Sequence, residues 1–466
     1  MVHDPVLLSR IQFAFTVTFH IIFPTLSIGL ALFLAIVEGL WLKTRNGIYL
    51  EIYRFWLRIF ALAFGVGVVT GIVLSFEFGT NFSVFARMVG PVLGPMIGLE
   101  VLTAFFLEAG FLGVMLFGLD RVGPRLHFAA TCLVSFGTLL SASWILSANS
   151  WMQAPSGFSL KQDHFEVVNW LRVIFNPTFP FRLPHMLLAA FITASFLVAG
   201  VGAYYLLHDR HREFARKTLS MGLGFASVLV ACQVFLGDIL GGVMYRHQPA
   251  KIEAMEGNWK DSPTADYLLL IVPDAQHERN SYALGVPFLG SIIVTHSLHG
   301  AVPGLADTPR DRRPAMAPVF YAFRVMYLLG TIMFALVCVG TWLRVRGRLY
   351  STRWFLKLML WMTPSGLFAT VAGWYTAELG RQPWVVYGQL RTADAVSPVP
   401  GPAVLGAFLV IVAVYALFFA GFLAFALKAI RNGPSDLSGT PVIAGPVKRA
   451  FASAVKSSAA SAGSIP

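Results

Sequence analysis

Charge is scarce in this chain. Asp, Glu, Lys and Arg together supply 12% of its 466 residues, where an ordinary soluble domain carries about 25%. That shortage excludes a water-covered globular surface. Cysteine is almost missing too: Cys132, Cys232 and Cys338 lie far apart inside apolar runs, and no CxxC pair exists. Neither a zinc site nor a disulfide framework is therefore indicated, and the three read as small buried apolar residues. No internal repeat is visible, which removes support for an inverted-repeat transporter. The start, MVHDPVLLSR, has neither the basic opening nor the small-residue cleavage site of a secretory leader. The first apolar run is expected to stay as a membrane span.

What fills the chain is hydrophobic: 56% of residues, with 40 Phe. Runs long enough to cross about 30 Å of hydrocarbon cover 13–41, 55–76, 94–119, 127–149, 184–207, 218–240, 318–342, 354–377 and 402–430. The fold expected is an all-α membrane protein, a bundle of about nine transmembrane helices (spans 1–9). The domains expected are spans 1–6 over 1–240, a long extracytoplasmic loop over 241–317, spans 7–9 over 318–432, and a disordered cytoplasmic tail over 433–466, rich in Ser, Ala, Gly and Pro. The formal charge is +12, but the basic residues cluster in short loops after odd-numbered spans, as in Arg210, Arg212, Arg216 and Lys217. That pattern argues against nucleic acid. It puts the N-terminus outside and the C-terminus in the cytoplasm.

Ionisable side chains at membrane depth are costly, so each one asks for a reason. His20 and His185 lie in spans 1 and 5, with His127 at the edge of span 4. The acids are Glu38, Glu77, Glu100, Glu108, Asp238 and Glu378. Each histidine alone is either a hydrogen-bonded bundle residue or a ligand. Together, at one outer depth, they point to a group that needs imidazole, and heme iron is the usual one. Met326 lies at matching depth with Arg324 two residues away. A helix Met is either core filler or an axial ligand. Glu100 and Glu108 are eight residues apart, so a regular helix sets them about 80° apart in rotation and about 12 Å apart in height. They read either as acids lining a cavity or as a proton relay, with Ser141, Ser143 and Ser147 of span 4 as further members. Span 8 closes on AGWYTAELGRQPW (372–384), a carboxylate followed at once by Gly, Arg, Gln, Pro and Trp. A plain helix end needs only the glycine. Pro383 is expected to stop the helix and Trp384 to anchor at the interface.

Eight stretches carry a family resemblance: RIQFAFTVTFH (10–20), GVVTG followed by FEFGTN (67–71, 76–81), LEVLTAFFLEA (99–109), SANSWMQAP (147–155), HQPAKIEAMEG (247–257), FRVM (323–326) and GRQPW (380–384). From about residue 4 to 430 the chain resembles subunit I of cytochrome bd quinol oxidase. The resemblance implies a low-spin heme b, a high-spin heme b and a heme d, or a b heme in its place. His185 and Met326 match the axial pair of the low-spin heme. His20 and Glu378 match ligands of the other two, in an order the resemblance leaves open. Glu100, Glu108 and Ser141 match the inward proton path, and Trp374 an aromatic beside the active hemes. Lys251 and Glu256 match the quinol-binding positions. Arg10, Arg324 and Arg381 match positions facing heme charge. The outer loop is short and resembles that of the cyanide-insensitive subgroup, and Ala109 stands where some relatives carry serine.

The activity implied is oxidation of quinol at the outer face and reduction of O2 to water with cytoplasmic protons, separating charge without a pump. The setting implied is the bacterial inner membrane and its lipid, with a homologous multi-span subunit II and a small single-span subunit as partners. Two rival classes compete: a cofactor-free proton-coupled transporter, and a b-type electron carrier without oxygen chemistry.

Overall fold

The computed structural model describes residues 4–434; most of the expected tail, 435–466, lies outside them. Among the described residues nine helices are long and apolar enough to cross a membrane. They are Pro5–Thr44, Gly47–Thr80, Ser83–Phe117, Pro124–Gln153, Phe179–Leu207, Arg212–His247, Met316–Val345, Arg353–Leu379 and Gly401–Asn432. Eight of the nine apolar runs sit inside longer helices, because polar turns extend the helices beyond the hydrocarbon; the run 94–119 overshoots its helix, which ends at Phe117. Span 1 starts on Asp4, whose carboxylate accepts from the Val6 amide at 2.9 Å, and Pro5 suits the first helical position. Span 6 runs helically to His247, past the expected boundary at 240.

The connections hold structure that the apolar pattern does not signal. β1 (Phe158–Leu160) pairs with β2 (Phe165–Val167) between spans 4 and 5. Between spans 6 and 7 come a short helix, Pro249–Glu256, and a hairpin of β3 (Tyr267–Asp274) with β4 (Arg279–Val286). After span 8, β5 (Trp384–Val386) pairs with β6 (Leu390–Arg391). Trp384 thus opens a strand, with the Arg391 guanidinium 5.2 Å over its ring.

Two features of the spans bear on the site. Span 3 is not a continuous α-helix: Val101–Phe105 forms a π-helical turn. Span 1 contains Pro24, which has no N–H for the His20 carbonyl four residues earlier. Spans 1, 2, 5 and 6 pack most closely, around Phe33, Trp56, Tyr205 and Phe214. Spans 3 and 9 keep most of their apolar surface exposed. Cys232 and Cys338 are exposed and Cys132 half-buried, which corrects the expectation of three buried cysteines. An apolar residue of a membrane helix meets lipid as readily as core.

Spans 5 and 6 approach through Gly222, where a Cβ would stand 2.6 Å from the Ser195 carbonyl oxygen and 2.8 Å from the Ala199 nitrogen. Both are backbone atoms and cannot swing aside. Gly222→Val should therefore lower stability by about 1–3 kcal/mol, visible as a lower thermal midpoint in detergent; an unchanged midpoint would show that the two helices have room to separate.

Candidate functional site

Nine alternating spans put the starts of odd spans and the ends of even spans at one end of the bundle. The polar side chains gather there. His20 lies on span 1, and its Nδ1 is 2.9 Å from the Thr70 hydroxyl of span 2. That hydroxyl donates to the carbonyls of Val66 and Gly67 at 2.9 and 3.0 Å, so its oxygen accepts from His20 Nδ1–H. The lone pair is thereby left on Nε2, the arrangement a metal-binding imidazole needs. One and two turns before His20, Thr16 and Gln12 donate to Glu77 at 2.9 and 2.8 Å. Thr18 donates to the Tyr375 hydroxyl at 2.9 Å, which ties span 1 to span 8. Trp374 packs edge-on to that tyrosine ring at 5.1 Å.

Glu378 is the centre of the largest polar group. Asn149 and Gln153 of span 4 donate to its Oε1 at 3.0 and 3.2 Å, and Arg381 pairs with its Oε2. Arg182 of span 5 donates to Asn149 Oδ1 at 2.6 Å. Lys251 reaches in from helix Pro249–Glu256 and donates to Gln153 Oε1 at 2.6 Å. Three basic side chains thus surround one carboxylate. Lys251 is 2% exposed. Burial, with the cations of Arg182 and Arg381 nearby, holds its ammonium well below the usual lysine range, and Glu378 only partly opposes this. Arg381 keeps two buried nitrogens, Nε and Nη1, without a hydrogen-bond partner. Buried cationic donors left unspent are expensive, and an anion at this group would satisfy them.

The glycine of GRQPW has a different reason from the expected cap. Gly380 is right-handed, and a Cβ there would stand 2.6 Å from Lys251 Cγ. It is glycine so that the lysine can pass.

His185 of span 5 has its polar neighbour on span 6. Its Nδ1 is buried without a partner, and Gln233 of span 6 lies 3.3 Å from its Nε2. Met326 on span 7 faces Gly373 of span 8, where a Cβ would come within 2.9 Å of the sulfur. Arg324 pairs with Glu256 at 3.0 Å, donates Nε–H to the Leu268 carbonyl at 2.6 Å and lies 4.2 Å over the Tyr267 ring. Its Nη1 is buried and unspent. Lys251 and Glu256, expected at one quinol site, sit about 140° apart around their helix. The first is tied to the Glu378 group and the second to Arg324. Arg10 is on the exposed side of span 1.

Deeper in the bundle, Ser141 donates to Glu100 Oε1 at 2.7 Å. Glu108 is buried, and Gly137 makes room for it, since a Cβ there would lie 2.6 Å from its Cγ. The π turn between the acids alters the rotation expected of a regular helix. One extra residue in the turn removes about 100°, which brings the 80° offset to about 20°. Ser143 and Ser147 do not join the acids: each hydroxyl is spent on a carbonyl, of Leu139 at 2.8 Å and Ile174 at 2.6 Å. At the far end His127 and Glu38 form a fully buried pair at 2.6 Å. Thr70, Asn149, Gln153, Arg182 and Gln233 were not singled out by sequence reasoning. Thr, Asn and Gln at these positions carry no signal until a partner is known, whereas Arg182, a cation in the first turn of span 5, was a signal available in the sequence.

The family model described as cytochrome bd terminal oxidase subunit I matches residues 8–434. The chain belongs to this family. It is 33% identical to "Cytochrome bd-II ubiquinol oxidase subunit 1" of Escherichia coli (strain K12), over 93% of this chain and 98% of that one. It is 36% identical to "Cytochrome bd ubiquinol oxidase subunit 1" of Bacillus subtilis (strain 168), over 84% of this chain and 86% of the relative. Among solved structures it is similar to the bd oxidase from Geobacillus thermodenitrificans, with a TM-score of 0.86 and 30% identity, covering 92% of this chain and 99% of that chain. A bd oxidase subunit I works with hemes, and the residues fit such groups. His20 offers a free Nε2, His185 has a buried unspent nitrogen, and Arg381 and Arg324 hold unspent donors suited to carboxylates.

The Arg324–Glu256 pair is buried on both sides. Arg324→Met alone should destabilise the protein by about 3–5 kcal/mol by stranding the carboxylate. Arg324→Met with Glu256→Gln should recover most of that loss in thermal unfolding; no recovery would mean that the aromatic stacking, not the pairing, matters.

Proposed function

We propose that the chain is the heme-holding subunit of a quinol:oxygen oxidoreductase. The reading rests on one observation: His20, His185, Met326 and Glu378 come from four different spans to one end of the bundle, beside basic side chains with unspent donors. His185 and Met326 would hold the low-spin heme b. His20 and Glu378 would serve the high-spin heme b and heme d, or a b heme in its place. When bound, these groups supply the one-electron steps and the open iron position that reduction of O2 to water requires.

The chain's own residues supply position and protons. Thr70 fixes the His20 ring and its tautomer. Arg324, through Nη1, and Arg381, through Nε and Nη1, would meet heme carboxylates with their unspent donors, and Trp374 packs the pocket wall. Glu256, oriented by Arg324, accepts a quinol proton. Lys251 steadies the quinol oxygen by exchanging its bond to Gln153 for one to the substrate. Protons for water enter from the opposite end past Glu108 and Glu100, whose alignment on one helix face and anchoring by Ser141 favour a relay. Quinol protons leave at the outer end, so charge is separated without a pump. In this orientation the 248–315 connection is extracytoplasmic, the N-terminus is outside, the C-terminus is cytoplasmic, and the membrane is the bacterial inner membrane. The exposed apolar faces of spans 3 and 9 suit lipid and a multi-span subunit II, with room for a small single-span subunit.

The first test is a reduced-minus-oxidised optical spectrum of the purified complex, repeated with carbon monoxide. Heme bands that shift with carbon monoxide are expected, and a far-red band would reveal heme d. Bands without a shift would leave an electron carrier, and a colourless protein would return the transporter. The second test is Glu256→Ala, which should lower quinol oxidation by about 100-fold or more while heme content is kept; full activity would sink the assignment of this base.

A further inference from the structure

Glu253 lies one helical turn before Glu256, on the short helix Pro249–Glu256, and the function above leaves it unused. It is 6% exposed. A strap of chain covers it. The strap is pinned by the Leu305 amide on the Asn258 carbonyl and the Ala306 amide on the Trp259 carbonyl, both at 2.9 Å, and by the Gly304 amide on the Asp261 carboxylate at 2.9 Å. Arg313 holds the far side of the strap, donating to the Ala306 carbonyl at 2.7 Å and to Glu278 at 2.8 Å. From the strap, Thr308 donates to Glu253 Oε2 at 3.3 Å. Asp261 and Asp307 act on the same carboxylate and are exposed. Arg313 and Tyr387 are the other titratable groups that act with it; Arg324, from span 7, is committed to Glu256.

A buried carboxyl therefore stands between a paired acid and two acids in water. Residues three apart on a helix have Cβ atoms about 5–6 Å apart, within reach of one bridging water. We propose that Glu253 is the proton-release residue of quinol oxidation, taking the proton that Glu256 receives and passing it to water beside Asp261 and Asp307. The O–H bond breaks on Glu256 and forms on Glu253, then breaks there as water takes the proton; the quinol electrons leave separately. This rests on Glu256 as the quinol base.

Glu256 is locked to Arg324 and cannot swing outward, so a second acceptor is needed to clear it between turnovers. Burial, opposed in part by the Thr308 bond and reinforced by Asp307 and Asp261, pushes the Glu253 carboxyl up to about 7. Above that pH it is ionised and can accept. Below it the site is already filled, so the gain from Glu253 is present at high pH and lost as pH falls.

The test uses the whole complex and Glu253→Gln, which keeps shape and the Thr308 bond. Infrared titration of the wild type should show a carboxyl C=O band with a midpoint near pH 7 that is missing in the variant. Quinol oxidation by the variant should be about tenfold slower at about pH 8 and equal to wild type at about pH 6. A persisting band or a superimposable pH profile would overturn the proposal. Should that variant lose its hemes, Thr308→Val decides: losing a hydrogen bond to the ionised form should move the midpoint up, and an unmoved midpoint would overturn it. Glu256→Gln separates the two readings. It should be slow at every pH; full activity there would remove the quinol base itself, whereas a slow Glu256→Gln beside an unchanged Glu253→Gln removes only the relay.

Discussion

A carboxylate at the end of an apolar helix, Glu378, meets three basic side chains that arrive from separate directions, and one end of the bundle is organised around that meeting. A charge taken out of water costs several kcal/mol unless it is paired and hydrogen-bonded. Asn149 and Gln153 from span 4, Arg182 through Asn149 from span 5, Arg381 from the turn after span 8, and Lys251 from the loop helix each meet part of that cost. The same contacts fix spans 4, 5 and 8 relative to one another and dock the long connection onto the bundle. The group remains richer in cationic donors than in acceptors. A protein that kept this arrangement for stability alone would be better served by apolar packing. The surplus is intelligible if anionic groups complete it.

Span 3 obeys a different constraint. It is among the least buried of the spans and carries two acids. Its π turn brings Glu100 and Glu108 to nearly one azimuth, with both turned toward span 4, where Ser141 and Gly137 receive them. A regular helix would aim one of them elsewhere. Departures of this kind are common at functional positions because they trade helical hydrogen bonding for side-chain aim. The separate His127–Glu38 pair at the opposite end is joined by the Met115 carbonyl on His127 Nε2 and leaves Glu38 Oε2 buried without a partner.

Much was legible before any coordinate. Nine spans follow from apolar run length, since a helix is the element that satisfies its own backbone in hydrocarbon. Alternation then places His20, His185, Met326 and Glu378 at one end without further information. The hairpins in the connections were not legible, because β3 and β4 have no clean alternation in a short polar setting. The individual serines were not legible either: Ser141, Ser143 and Ser147 look alike in sequence, and only Ser141 meets an acid.

The sequence by itself therefore determined the elements and their depth, which are local properties of run length and polarity. It also determined the family, through motifs spread over nearly every span. The tertiary structure decided the pairing: that Lys251 turns to Gln153 and Glu256 to Arg324, that Thr70 sets the tautomer of His20, and that Gly380 exists to let a lysine pass. Each of these joins residues tens to hundreds of positions apart. A hydrogen bond forms only within about 3.5 Å and a narrow range of angles, so such pairings depend on how the helices are packed and rotated. Periodicity along one helix does not encode that.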